Sequence, residues 1–208
     1  MRPFAWHGPL SDSGRLRLPS RPSEASVSVA ELGVLLLCGA AAAGAVLLFE
    51  FKLKFPGHSI LRAVFPMALG LALVPRRGSG TVMGAGAIAT TAGMYFGGVG
   101  DKGLGSMTSL FMIGPFLDLA LRRAVSGRRV YLALTAAGVF ANLAALAVQG
   151  SAKYFGIDGG GGFKSLATWL PSAALTYPIC GALAGLLSAA AWFRWNAEPR
   201  QNSADDRP

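Results

Sequence analysis

The sequence predicts an all-α integral membrane protein, a bundle of about six transmembrane helices with both termini in the cytoplasm. Of its 208 residues, 52% are hydrophobic and only 14% are charged, and the mean hydropathy is +0.47. A soluble domain of this length carries far more charge. The charged residues stand in short clusters between long apolar runs, and most of the arginines fall on one side of those runs.

Six apolar runs approach the length of a membrane-crossing helix. Such a helix needs about 20 apolar residues to cross roughly 30 Å of hydrocarbon. The predicted spans are 29–49, 59–74, 81–99, 107–121, 130–149 and 166–193. The second and fourth are short, so we expect each either to lie well inside the bundle or to begin within its flanking turns.

The first predicted span is rich in small residues that recur every three to four positions, which places them along one side of a helix. These residues are Gly39, Ala40, Ala43 and Gly44. Small side chains let two backbones approach closely where lipid offers no hydrophobic incentive for helices to pack. This side of the helix is predicted either to contact other helices of the same chain or to dock onto a second membrane subunit.

The distribution of positive charge predicts the orientation. If the N-terminus is inside, 13 of the 19 lysine and arginine residues fall in inner segments and six in outer segments. This bias predicts a cytoplasmic N-terminus, and an even number of spans then brings the C-terminus to the same side. Arginines at helix ends that face anionic lipid explain the net charge of +9. We therefore expect a multi-pass protein of the cell membrane, with lipid and no nucleic acid as a partner.

The two ends of the chain differ from the rest. Residues 1–27 and 195–208 are polar and show no apolar periodicity, so we expect disordered cytoplasmic tails on either side of a six-helix domain, 28–194. The leader is too long for a cleaved signal peptide, and the first apolar run continues past any cleavage site.

The sequence lacks the common catalytic motifs. It contains no His-Glu-x-x-His, Cys-x-x-Cys or Gly-x-Ser-x-Gly pattern and no phosphate loop. We therefore predict no enzymatic activity, metal site or cofactor, and no means for this chain to energise transport with nucleotide by itself. A membrane enzyme remains an alternative, with Asp118 and Arg122, one helical turn apart, as its polar pair. An ion pair at the cytoplasmic boundary explains these two residues more simply.

One carboxamide lies well inside a predicted span. Asn142 is about 12 residues from the inner end of the fifth span, past the midplane toward the outside. An amide inside the bilayer needs a partner, so Asn142 is predicted either to bond to a neighbouring helix or to line a pocket. Gln149 and Trp169, at the outer ends of spans five and six, are candidates for the same pocket. Trp169 could equally be an interface anchor.

Two outer connections are rich in glycine, at 97–103 and 156–162. Flexible loops over an outer opening can act as lids, although these segments could also be plain linkers. Asp101 and Lys102 lie in the first of them and complete the set of candidate substrate-binding residues.

Several segments together are similar to those of a known transporter family. The segments are the small-residue stretch 39–45, Phe-Pro-Gly-His at 55–58, Pro66, Arg-Arg-Gly-Ser-Gly-Thr at 76–81 and Gly-Pro-Phe-Leu-Asp-Leu at 114–119. With six short helices and no ATPase motif, residues 28–194 resemble the substrate-binding S component of energy-coupling-factor transporters. In that family a vitamin or a metal ion binds in a pocket open to the outside.

The resemblance implies capture rather than catalysis. It implies that a small organic nutrient such as a vitamin binds at the outer ends of spans four to six, and that the small residues of the first span face a transmembrane coupling subunit. Cobalt and nickel members bind metal through an N-terminal Met-His stretch, whereas this chain begins Met1-Arg2-Pro3. ATPases on other chains would drive release. Two rivals remain: a structural or assembly subunit without a ligand, and the polytopic enzyme.

Overall fold

The computed structural model describes residues 27–48, 56–98, 104–123, 128–157 and 162–193. Within these ranges the chain is all-helical, as predicted, and forms six helices. They are α1 (Val29–Leu48), α2 (Ser59–Leu73), α3 (Ser79–Phe96), α4 (Leu104–Arg123), α5 (Arg128–Tyr154) and α6 (Gly162–Trp192). Apart from Val27, both predicted tails lie outside the described residues, and so do Asp101 and Lys102.

Five of the helices form an open arc, and the remaining one, α2, fills it. Helices α1, α3, α4, α5 and α6 contact one another in that order, and α2 lies in the opening between α1 and α6 and touches all five. Most side chains of α2 are buried, including Ile60, Val64 and Met67. The helix of the second predicted span therefore lies inside the bundle, which is one of the two positions predicted for it.

Consecutive helices run in opposite directions. Arg62, near the start of α2, donates a hydrogen bond to the carbonyl of Ala45, near the end of α1. Likewise the hydroxyl of Tyr131, at the start of α5, donates to the carbonyl of Phe193, just beyond the end of α6. Such alternation brings the two ends of the described chain to the same side of the bundle.

Glycines allow the closest approaches between helices. A Cβ atom at Gly138 would overlap the carbonyl oxygen of Gly181, so α5 and α6 meet backbone to backbone. The same is true of Gly80 and Gly114 between α3 and α4. This is the packing expected of membrane helices, where close backbone approach replaces the hydrophobic effect as the driving force.

The outer surface of the bundle is apolar. Leu37, Leu132 and Leu175 are 71%, 70% and 68% exposed, and many other leucines and isoleucines are exposed with them. By length and composition, three helices could cross a membrane: Val29–Leu48, Arg128–Tyr154 and Leu166–Trp192. Two shorter apolar helices accompany them, Ser59–Leu73 and Leu104–Ala120. So large an apolar surface suits contact with lipid and not with water.

Prolines interrupt the backbone hydrogen bonds of alternate helices. Pro66 lies inside α2, Pro115 inside α4, and Pro171 and Pro178 inside α6. No proline occurs within the bounds of α1, α3 or α5. Each of the four interior prolines removes one donor from its helix.

A capping box fixes the start of α1. The hydroxyl of Ser28 accepts a hydrogen bond from the N–H of Glu31, and the Glu31 carboxylate accepts one from the N–H of Ser28. Glu31 also pairs with Arg76 in the turn between α2 and α3, at 2.7 Å. The first turn of α1 is thereby tied to the start of α3.

The small-residue stretch of α1 is largely covered by the chain itself. Gly39 lies against the backbone of Met83 and Ala87 in α3, and Ala43 is fully buried. Ala40 and Gly44 are half-buried. Contact between helices of the same chain, the first of the two predicted roles, is therefore what Gly39 and Ala43 provide.

We expect Gly39→Ala to lower the stability of the protein and Gly44→Ala to preserve it. At Gly39 an added methyl group would overlap the Met83 carbonyl oxygen and lie 3.0 Å from the Ala87 nitrogen, whereas at Gly44 its nearest neighbour is a Leu48 methyl at 3.9 Å. Overpacking of this kind costs about 1–3 kcal/mol. Both variants gain the same helix propensity, so thermal unfolding in detergent isolates the clash. Equal melting temperatures would contradict the α1–α3 contact.

Candidate small-molecule site

Asn142 joins three segments of the chain near the middle of the bundle. Its side-chain nitrogen donates hydrogen bonds to the carbonyl of Tyr177 in α6, at 2.7 Å, and to the carbonyl of Gly57 in the turn before α2, at 3.1 Å. At 1.5 Å per residue, Asn142 lies about 20 Å along α5 from Arg129 and about 17 Å from Lys153. It is therefore nearer the middle of its helix than the sequence predicted, because α5 continues beyond the apolar run to Tyr154.

The carbonyl oxygen of the same side chain has no hydrogen-bond partner among the described residues. Asn142 is 0% exposed, and its Oδ1 accepts no hydrogen bond from the described residues. Rotating the amide by 180° would not help, because Oδ1 would then face the carbonyl oxygens of Tyr177 and Gly57. A buried acceptor left in this state costs about 1–3 kcal/mol. The site therefore holds an acceptor ready for a donor from outside the described chain.

Gly57 lets the turn before α2 reach Asn142. Its φ of +81° lies in the left-handed region, which glycine adopts without strain. A Cβ atom there would lie 2.9 Å from the ring of Tyr177 and 3.1 Å from the Asn142 nitrogen. This non-helical turn therefore touches the middle of both α5 and α6. Irregular backbone at membrane depth is tolerated where protein surrounds it or where it lines a cavity.

Tyr177 connects Asn142 with Gln149. The Gln149 side-chain oxygen accepts a hydrogen bond from the N–H of Gly105, at the start of α4, at 2.6 Å. A Cβ atom at Gly105 would lie 3.1 Å from the hydroxyl of Tyr177 and 2.9 Å from Gln149 Oε1. The phenol ring therefore extends from the Gly57 turn to the first turn of α4.

Trp169 packs on the other side of Tyr177. The two ring centroids are 6.1 Å apart in an edge-to-face arrangement. Lys153 places its ammonium 5.6 Å from the centre of the Trp169 ring, within the range of a cation–π contact. With Ala145 and Ala173 these aromatic rings form a small apolar cluster that is separate from the main core.

The structure thus brings three of the five predicted site residues together. Asn142, Gln149 and Trp169 lie around Tyr177, near the start of α4, along the second half of α5 and in the first half of α6, while Asp101 and Lys102 fall outside the described residues. Tyr177 has the central place among them, although it was not among the predicted site residues. Its position in the middle of the long sixth apolar run, away from both ends, was the signal that could have identified it.

Asp118 is bonded to the first turn of α3. One carboxylate oxygen accepts from the N–H of Gly80 at 2.7 Å, and the other accepts from the N–H and hydroxyl of Thr81, at 2.8 and 2.5 Å. The carboxylate therefore caps the N-terminus of α3, where it meets the positive end of the helix dipole. The pairing of Asp118 with Arg122 suggested by the sequence is wrong, and Arg122 is exposed.

No family model, curated protein or solved structure matches this chain. Within the described ranges, no group of three histidine, cysteine, aspartate or glutamate side chains is placed to hold a metal ion.

Proposed function

We propose that this chain is a six-span membrane protein, with both termini in the cytoplasm, that captures a small organic nutrient from the outer side. In this role it resembles the S component of an energy-coupling-factor importer. The observation that carries the proposal is the meeting of Asn142, Gln149 and Trp169 around Tyr177, with the buried Oδ1 of Asn142 left as an acceptor. A few polar groups in an apolar, aromatic setting are typical of small-molecule sites.

Capture of this kind needs partners. The chain would hold the molecule, and a transmembrane coupling subunit with ATPase subunits on other chains would drive its release inward. Because Gly39 and Ala43 are covered by other helices of the same chain, a coupling subunit would have to use the exposed side of α1, where Leu36 and Leu37 lie.

The main rival is a structural or assembly subunit without a ligand. One observation favours it, since both hydrogen bonds donated by Asn142 go to carbonyls of the same chain. A polytopic membrane enzyme has no comparable support, because Asp118 is engaged at the start of α3.

Ligand-induced stabilisation tests the capture function. Purified in detergent and screened against vitamins and related small molecules, the protein should be stabilised by its ligand by about 2.7 kcal/mol at 100 times the dissociation constant. Trp169→Leu removes a ring beside Tyr177 and should weaken binding. Trp192→Leu is the matched control, because Trp192 lies at the other end of α6, where it donates to the carbonyl of Phe65.

Copurification from native membranes completes the test. Coupling and ATPase subunits in the purified complex would support the importer. A stable complex without ATPases, from a protein that no small molecule stabilises, would instead establish the assembly subunit.

Single cysteines should report the orientation of the chain. In a background lacking Cys38 and Cys180, Ser126→Cys in the α4–α5 connection should be labelled from the cytoplasm and Gly160→Cys in the α5–α6 connection from the outside. The reason is the excess of arginine in the inner segments. The measurement is modification by a membrane-impermeant maleimide in intact and in opened cells. Labelling of both positions from one side would contradict the six-span arrangement.

A further inference from the structure

The hydrogen bonds of Asn142 restrict which chemical group a ligand can bring to it. Building on the capture function proposed above, we propose that the group received by Asn142 Oδ1 is an uncharged hydrogen-bond donor, a hydroxyl or an amide N–H. The proposal follows from what Asn142 has already bonded and from the charges that surround it.

A donor is required because Asn142 offers an acceptor alone. Both hydrogen bonds of the Asn142 nitrogen are made within the chain, to Tyr177 and Gly57, and they fix the orientation of the amide. What remains is Oδ1, which is buried and accepts nothing from the described residues. A ligand that presented another acceptor would set oxygen against oxygen, and the desolvation cost of both atoms would stay uncompensated.

Neither of the two hydroxyls nearest Asn142 in the sequence of α6, those of Thr176 and Tyr177, supplies this donor. Thr176 precedes Tyr177, and its hydroxyl is also buried without a hydrogen-bond partner among the described residues, so it does not reach Oδ1. The hydroxyl of Tyr177 lies at the far end of the ring, beside Gly105. A ligand that enters here therefore meets an acceptor that the packing of α5 and α6 leaves unused.

The donor should carry no charge. Both groups bonded to Asn142 are neutral carbonyls. The acidic side chains in the described part of the chain are Glu31 and Asp118, and both are bonded elsewhere, to Arg76 and to the start of α3. A cation buried in the middle of the bundle without an anionic partner costs several kcal/mol. An anion would face the oxygens of Tyr177, Gly57 and Asn142 itself. The cation of this site, Lys153, lies over the ring of Trp169 and is about 17 Å along α5 from Asn142, so it does not offset them.

Four probes of equal size test hydrogen-bond donation and charge separately. Benzamide is a neutral donor, benzamidinium a cationic donor, benzoate an anion and acetophenone a neutral acceptor without a donor. All four carry one aromatic ring, which suits the apolar cluster of Tyr177 and Trp169. Calorimetric titration of the wild-type protein in detergent should give the tightest binding for benzamide, by about tenfold or more over each of the others, which corresponds to about 1.4 kcal/mol.

Each other result overturns the proposal. Equal or tighter binding of benzamidinium or benzoate would show that the site accepts charge, and equal binding of acetophenone would show that no donor is needed. If none of the four binds, Oδ1 does not receive a neutral aromatic donor, which also overturns the assignment. In all these cases the capture function stands or falls separately, on the broader screen and on copurification.

Asn142→Asp should reverse the preference between the neutral and the cationic probe. The added negative charge should shift the preference from benzamide to benzamidinium by tenfold or more, while Trp192→Leu, at the other end of α6, should keep the wild-type order. An unchanged order in a folded Asn142→Asp protein would mean that the probes bind elsewhere, which would overturn the assignment. If this variant does not fold, the wild-type series alone decides.

Discussion

Gly138→Ala is expected to destabilise the protein by about 3 kcal/mol, at the upper end of the range for overpacked positions. The added methyl group would overlap the Gly181 carbonyl oxygen and lie 3.1 Å from the carbonyl carbon, both of which belong to the backbone of α6 and cannot rotate away. Helices α5 and α6 must then separate. Because Asn142 and Tyr177 lie one turn further along, their hydrogen bond should be lost as well.

Gly150→Ala is the matched control for this change. It lies in the same helix and gains the same propensity, but a methyl group there would meet Trp169 at 4.0 Å, an ordinary contact. Thermal unfolding in detergent and binding of the best ligand should be measured on both variants. If Gly138→Ala and Gly150→Ala have the same melting temperature, α5 and α6 are not in backbone contact.

Asn142→Leu is expected to lower the stability of the empty protein by about 1–3 kcal/mol. The change leaves the carbonyl of Gly57, which lies outside any helix, without its bond from Asn142, and an unsatisfied buried carbonyl carries that cost. Ligand binding should fall with it, because Oδ1 is removed. The measurement is the melting temperature without ligand, followed by the shift that ligand produces.

Thr176→Val tests whether any buried polar group in this region would give the same result. The Thr176 hydroxyl is buried and makes no hydrogen bond to the described residues, so its replacement by a methyl group should leave stability unchanged or raise it. A loss as large as that of Asn142→Leu would remove the argument that the Asn142 bonds are specific.

The number and order of the helices could be predicted from the sequence because each apolar run is set off by charges or glycines. The predicted and observed helices differ at their ends. The fourth apolar run predicts a helix of 15 residues, but α4 has 20, because residues 104–106 before the run and the two arginines after it are also helical. Apolar length measures the part of a helix that meets lipid, and polar residues at its ends can continue the backbone hydrogen bonds.

The candidate site was predictable in part, for a physical reason. Asn142 stands out because a carboxamide inside an apolar run needs a partner. Its actual partners, the carbonyls of Gly57 and Tyr177, are backbone groups that carry no signal in residue type, so only the fold reveals them. Asp118 shows the same limit, since its bonds go to backbone N–H groups of α3 and not to the nearest arginine in sequence.

The placement of proline divides the bundle into stiff and pliable helices. Those that run in one direction, α1, α3 and α5, contain no proline, whereas α2, α4 and α6, which run the opposite way, each lose at least one backbone hydrogen-bond donor to proline. Sharp bends in helices occur mostly at such positions. Any rearrangement that admits or releases a molecule at Tyr177 should therefore be taken up by bending in α6 at Pro171 and Pro178, against α5 as a rigid support.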